Sequence, residues 1–147
     1  MSGDLVIDLR QLLPLRRRLM MLSDLRLQRL FDILGSELES QTRRRLSSEK
    51  TDPDGARWVE WSDAYEAVRP KKGGLLDLDG GLVDSIAFET SSDAITVGSN
   101  LVYALVHQEG DEEMGIPARP YLGVSDDNLE DLGQLVVDFI AQEVRAA

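Results

Sequence analysis

The sequence predicts an α+β fold in which a small antiparallel sheet packs with a long N-terminal helix and a C-terminal helix. Three observations carry this. Leu27, Leu30, Phe31, Leu34 and Leu38 recur at helical spacing. Leu129, Leu132, Leu135, Val136, Phe139, Ile140 and Val144 repeat that pattern at the other end of the chain. Between them, two short alternating segments, 85–90 and 94–98, flank Ser91-Ser92-Asp93 as the arms of a hairpin flank its turn. At 147 residues and 42% hydrophobic content, a single domain over 1–147 is large enough to bury a core unaided. There is no cysteine, so neither disulfides nor thiolate metal sites contribute.

In chain order, residues 4–9 alternate as a short strand does, and Leu12–Leu22 reads as a helix with Pro14 in its first turn. Ser23-Asp24 caps and restarts the helix, which continues to about Leu46. Gly35 inside it costs about 1 kcal/mol relative to Ala and marks close packing against a neighbour. The triplets Arg16, Arg17, Arg18 and Arg43, Arg44, Arg45 have acids interleaved nearby and no aromatic partner, so they read as solvated helix faces. Asp52-Pro53-Asp54-Gly55 is a turn signal within a loop over 47–57. Trp58, Trp61 and Tyr65, at i, i+3 and i+7, fall on one helical face, where they would anchor that loop to the core.

Residues 69–81 read as flexible or turn-forming. After the hairpin, Asn100–Gln108 reads as a short helix capped by Asn100 and ended by Gly110. A mobile acidic loop over 109–115 follows. Ser125 then caps the last helix, with Asp126 and Asp127 at its positive end.

Charge is unevenly placed. Residues 1–72 carry 14 Lys/Arg against 12 Asp/Glu, whereas residues 73–147 carry 2 against 15. Such an acidic half repels a nucleic-acid backbone, which binds proteins through phosphate neutralisation. It reads as a solvated surface or as a field that steers towards a basic partner. No apolar run approaches the roughly 18 residues of a membrane span, and the first residues, Met-Ser-Gly-Asp, lack the basic start of a signal peptide.

The chemistry-bearing motifs fail one after another. Asp77-Leu78-Asp79-Gly80 begins like a calcium loop, but Gly81 and Leu82 stand where an oxygen ligand and a Gly are needed. Lys71-Lys72-Gly73-Gly74 lacks the lead and the hydroxyl of a phosphate loop. Gly123-Val124-Ser125 lacks the second Gly of a nucleophile elbow. His107 is the only imidazole. Its neighbours Glu109, Asp111, Glu112 and Glu113 lie on the predicted mobile loop and not on the rigid elements a metal site requires. His107 is therefore expected to pack at a helix end and bond the adjacent loop. No enzyme, metal or cofactor is expected.

The region 97–125 is left as the most distinctive. It holds the only His, two prolines and an isolated Arg119 among acids. Pro117 and Pro120 fix φ and donate no backbone hydrogen bond, so Ile-Pro-Ala-Arg-Pro should be stiff, extended and suited to a sheet edge or a subunit contact. Arg119 is expected to pair with a carboxylate through its planar fork, and Tyr121 to act as an amphipathic anchor of the kind enriched at interfaces.

The order Pro53-Asp54-Gly55, Trp58, Trp61-Ser62, Tyr65, then Gly81-Leu82-Val83-Asp84-Ser85-Ile86, Val97-Gly98-Ser99-Asn100, Tyr103-Ala104, His107-Gln108-Glu109-Gly110 and Ile116-Pro117-Ala118-Arg119-Pro120-Tyr121-Leu122-Gly123-Val124-Ser125 resembles the virion morphogenesis or tail completion proteins of Mu-like phages and prophages. The Ile-Pro-Ala-Arg-Pro-Tyr-Leu-Gly block is the specific part. The acidic loop after His107-Gln108 departs from relatives that often carry basic residues there. The resemblance implies a structural assembly protein of the virion, made in the host bacterial cytoplasm, that completes the tail or joins head to tail at the neck. Its alternative is a tail terminator ring capping the tail tube. It also implies a homo-oligomeric ring, typically a hexamer, that contacts the tail tube or head-closure proteins. Such a ring lets DNA pass without sequence-specific binding and without a membrane. Arg119, Pro120, Tyr121, Tyr103, His107, Trp58 and Trp61 are the candidate interface residues. From another class, an acidic protein-binding module without an assembly role also fits the charge pattern.

Overall fold

The computed structural model describes residues 4–8, 23–77 and 79–146, so the helix expected over Leu12–Leu22 lies outside the described residues. Ser23 begins the first long helix, α1 (Asp24–Arg44), with its hydroxyl accepting from the Arg26 amide at 3.3 Å. The apolar stripe of α1 is buried as its spacing requires: Leu30, Phe31, Leu34 and Leu38 are all inaccessible to solvent or nearly so. Each such side chain contributes about 1.5–3 kcal/mol by leaving water.

That stripe lies on a three-stranded antiparallel sheet of β1 (Leu5–Asp8), β2 (Ala87–Thr90) and β3 (Ala94–Gly98), ordered β1-β3-β2. The register sets Leu5 and Phe88 opposite Val97, and Ile7 and Thr90 opposite Ile95. Val97 and Ile95 are buried, and the strand faces alternate as predicted. Gly35 permits the closest approach, because a Cβ there would collide with the Phe88 ring. The last helix, α5 (Asp126–Ala146), buries Leu132, Val136 and Phe139 and lies against α1, where Glu143 pairs with Arg26 at 3.1 Å and with Arg29. Ser125 caps it reciprocally with Asn128: the Asn128 amide donates to Ser125 Oγ at 3.0 Å, and the Ser125 amide to Asn128 Oδ1 at 3.2 Å.

Four expectations fail, each for a local reason. Trp58 and Trp61 are not on a helix. The helix α2 (Asp63–Val68) starts only after Ser62, whose hydroxyl caps the Tyr65 amide at 3.2 Å, so only Tyr65 of the three aromatics is helical. The hairpin arm begins at Ala87 and not at Ser85, because residues before it form a helical turn, α3 (Gly81–Ser85). Asp79 Oδ1 opens that turn by accepting from the Gly81 amide at 2.9 Å. The helix expected from Asn100 begins at Ala104 (α4, Ala104–Glu109), since Ser99 Oγ takes the Leu101 amide at 3.1 Å and holds 99–101 in a turn. Finally, Arg45 is not on a solvated face. At the end of α1 the chain widens into a π-helical turn (Arg45–Glu49), closed by Lys50 donating to the Arg45 carbonyl at 2.9 Å. That widening turns the Arg45 side chain inward, and it is 2% exposed.

Candidate functional site

The Ile116–Ser125 segment is held by three side chains from outside it and by its own Tyr121, and of the two settings expected of it, a sheet edge or a subunit contact, it does not take the sheet edge. The Tyr121 and Leu122 amides both donate to Gln108 Oε1 at 3.0 Å. The Tyr121 carbonyl accepts from Arg45 Nη1 at 2.6 Å, while Arg45 Nη2 donates to Asn128 Oδ1 at 2.9 Å. The Pro120 carbonyl accepts from Trp58 Nε1 at 2.7 Å. Tyr121, fully buried, donates its hydroxyl to the Ala104 carbonyl at 3.1 Å. Only the start of the segment pairs as a strand does, in an isolated bridge between Asp111 and Ile116.

Arg119 pairs with no carboxylate among the described residues. Its Nε donates to the Val59 carbonyl at 2.7 Å and its Nη2 to the Glu60 carbonyl at 3.2 Å. The planar fork thus reads two successive backbone oxygens, and the Arg119 amide is itself tied to the His107 carbonyl at 2.8 Å. Gly110 makes this contact reachable: at φ +77° its missing Cβ would lie 2.6 Å from the Ala118 nitrogen.

Between the 59–62 segment, α2, α3, α4 and the 114–117 turn lies an open groove of about 930 Å³. Trp61, Tyr65, Leu76, Leu82, Tyr103, Met114, Ile116 and Pro117 supply its apolar lining, and Glu60, Asp77, Asp79, Arg69 and Arg119 its charge. Arg69 stacks on the Trp61 ring at 3.8 Å and pairs with Glu66 at 2.6 Å. The His107 ring meets Tyr103 edge-on at 5.7 Å. Burial, and secondarily the Arg119 charge, lowers the His107 pKa below its ordinary 6.5, which keeps the imidazole neutral. Its Nδ1 is buried without a partner among the described residues, so no carboxylate there orients the ring or fixes its tautomer, as one does in a catalytic triad. The described residues hold no group of three His, Cys, Asp or Glu side chains placed to bind a metal.

Of the residues singled out from sequence, the groove gathers Trp61, Tyr103, His107 and Arg119. It leaves Trp58 and Tyr121 in the core behind them, with Pro120 beside them. Sequence reasoning missed Val59, Arg69 and Met114. Only Arg69 carried a signal, its i, i+3 spacing from Glu66.

The model of the phage virion morphogenesis family matches residues 7–142. The chain belongs to that family. Membership places it among proteins that build phage particles. It is 34% identical over 127 residues to the "Putative capsid assembly protein G" of Escherichia phage Mu, covering 78% of each chain. No solved structure matches it significantly. No helix among the described residues is long and apolar enough to cross a membrane.

Proposed function

We propose that this protein is a non-enzymatic assembly component that completes the phage tail and joins it to the head at the neck, working as a ring of identical copies. The family match over residues 7–142 carries the reading. The site's construction supports it: Arg119 and Arg45 are engaged with backbone carbonyls, and His107 Nδ1 has no partner among the described residues, so what the described residues of the groove offer is shape and apolar surface and not an assembled reactive constellation. Tail completion in particular rests on the ordered motifs from Pro53 to Ser125 that resemble tail completion proteins. A monomer that binds a basic protein outside particle assembly would leave particles unaffected by its loss.

Electron microscopy of particles assembled without this protein tests the reading. Tails of normal length that accumulate beside filled, unjoined heads are the expected result. Tails of irregular length would overturn completion in favour of a terminator that caps the tube. Intact, joined particles would overturn the assembly role.

A further inference from the structure

The groove has the composition of a contact surface. Val59 is 60% exposed, Tyr103 46% and Met114 71%, a concentration of exposed apolar side chains that marks interaction sites on soluble proteins. Acids surround it. Glu60 and Asp79 line it and form no ion pair among the described residues, and Glu112 and Glu113 precede Met114 in the adjoining turn. A matching occupant is apolar and basic. The chain contains one such stretch: residues 9–22 hold Arg10, Arg16, Arg17 and Arg18, no acid, and eight Leu or Met.

Chain reach decides whose copy of that stretch can fill the groove. Asp8, which precedes it, pairs with Ala94 beside the hairpin turn. Ser23, which follows it, starts α1 at the same end, because Gln28 Nε2 donates to the Ser91 carbonyl at 3.0 Å. The groove lies at the opposite end of the sheet, lined by Leu82 before β2 and by Tyr103 and His107 after β3. A 14-residue stretch that leaves and returns to one end reaches at most about 25 Å, and then only with its tip. The sheet alone takes up about 17 Å of that. The stretch therefore cannot lie lengthwise in its own groove.

We propose that the groove receives residues 9–22 of a second copy of this chain, the apolar side chains seated against Val59, Tyr103 and Met114 and the arginines facing the acidic rim. This deepens the assembly role proposed above by naming the self-contact. The cysteine-free sequence permits a direct test. Full-length Met114→Cys and Met20→Cys variants, made separately, are mixed and oxidised, with Ser92→Cys at the hairpin turn replacing Met114→Cys as the control. The expected result is a Met114–Met20 cross-link between copies at least about ten-fold above the control. It should fall by a similar factor when Arg16, Arg17 and Arg18 are changed to Glu, and in excess synthetic peptide of residues 9–22. A cross-link no greater than the control, one indifferent to peptide, or one formed within a single doubly substituted chain at high dilution overturns the contact. The tail-completion reading stands or falls separately, on the microscopy.

Discussion

Tyr121 shows how a residue chosen for its interface character serves the interior instead. Its ring is buried, and its hydroxyl donates to the Ala104 carbonyl at 3.1 Å, which ties α4 to the Ile116–Ser125 segment. Burial, with a smaller push from Asp4, raises its pKa from 10.0 to about 12. The fold therefore favours the neutral phenol. The stability this gives is complete below pH 10 and is lost as pH rises from 10 towards 12, while only the unfolded chain ionises. Tyr121→Phe should cost about 0.5–1.5 kcal/mol in neutral denaturant titrations, the net worth of one hydrogen bond. The same titrations at about pH 11 should show that cost shrinking by about 1 kcal/mol, because only the wild type is penalised by phenol ionisation.

His107 gives the opposite sign. Its pKa is depressed by burial and then by Arg119, so the folded state resists protonation. Its stability contribution is present above the ordinary value of 6.5 and declines as pH falls below it towards the folded pKa. His107→Gln should remove that acid-side decline, so the wild type should lose more thermal stability than the variant between neutral and about pH 5. Equal losses would show that the imidazole is better solvated than its surroundings suggest. For Arg119, Ala should cost about 1.5–3 kcal/mol by leaving two carbonyls without their charged donor. Lys should recover less than half of this in the same unfolding measurement, since one ammonium cannot span two successive carbonyls as a guanidinium does.

At the scale of elements, regular periodicity was legible and tertiary capture was not. The stripes of α1 and α5, the Ser23 and Ser125 caps and the alternation of β2 and β3 rest on neighbours within four residues, so the sequence displays them. Trp58 and Trp61 have helical spacing too, but the Pro120 carbonyl, 62 positions away, captures the Trp58 indole and holds the backbone outside any helix. Arg45 looked solvated for the same kind of reason, because its partners lie 76 and 83 positions along the chain. The groove was only half visible: Tyr103, His107 and Arg119 stood out by rarity, while Val59 and Met114 matter only because the fold leaves them exposed. Gly35 was readable as a packing point although its neighbour was not. Gly35→Ala should gain about 1 kcal/mol of helix propensity yet lose more through collision with the Phe88 ring. The net should be a destabilisation of about 1–2 kcal/mol, given the usual 1–3 for overpacking. Adding Phe88→Leu should restore at least part of it, and a stabilised single variant by chemical denaturation would refute the close approach.

At the scale of the whole molecule, charge works in two directions. The net charge is −11, and residues 73–147 hold 15 acids against 2 bases. The compact state therefore carries self-repulsion that the extended chain relieves. Against it stand a few ion pairs such as Arg26–Glu143 at 3.1 Å, with Arg26 45% exposed. Pairs of that exposure are worth about 0–1 kcal/mol each and are themselves screened. Repulsion spread over the whole acidic surface should outweigh them. Salt that shortens the screening length from about 20–30 Å to about 4 Å should then raise the melting temperature of dilute protein. The contact proposed between the groove and residues 9–22 joins opposite charges, so the same salt should weaken association between copies. Thermal melts and sedimentation, run over one salt series, should move in opposite directions. Melting temperatures that fall with salt would mean the local ion pairs dominate. Association that strengthens with salt would mean the contact is held by apolar burial with no contribution from the acidic rim.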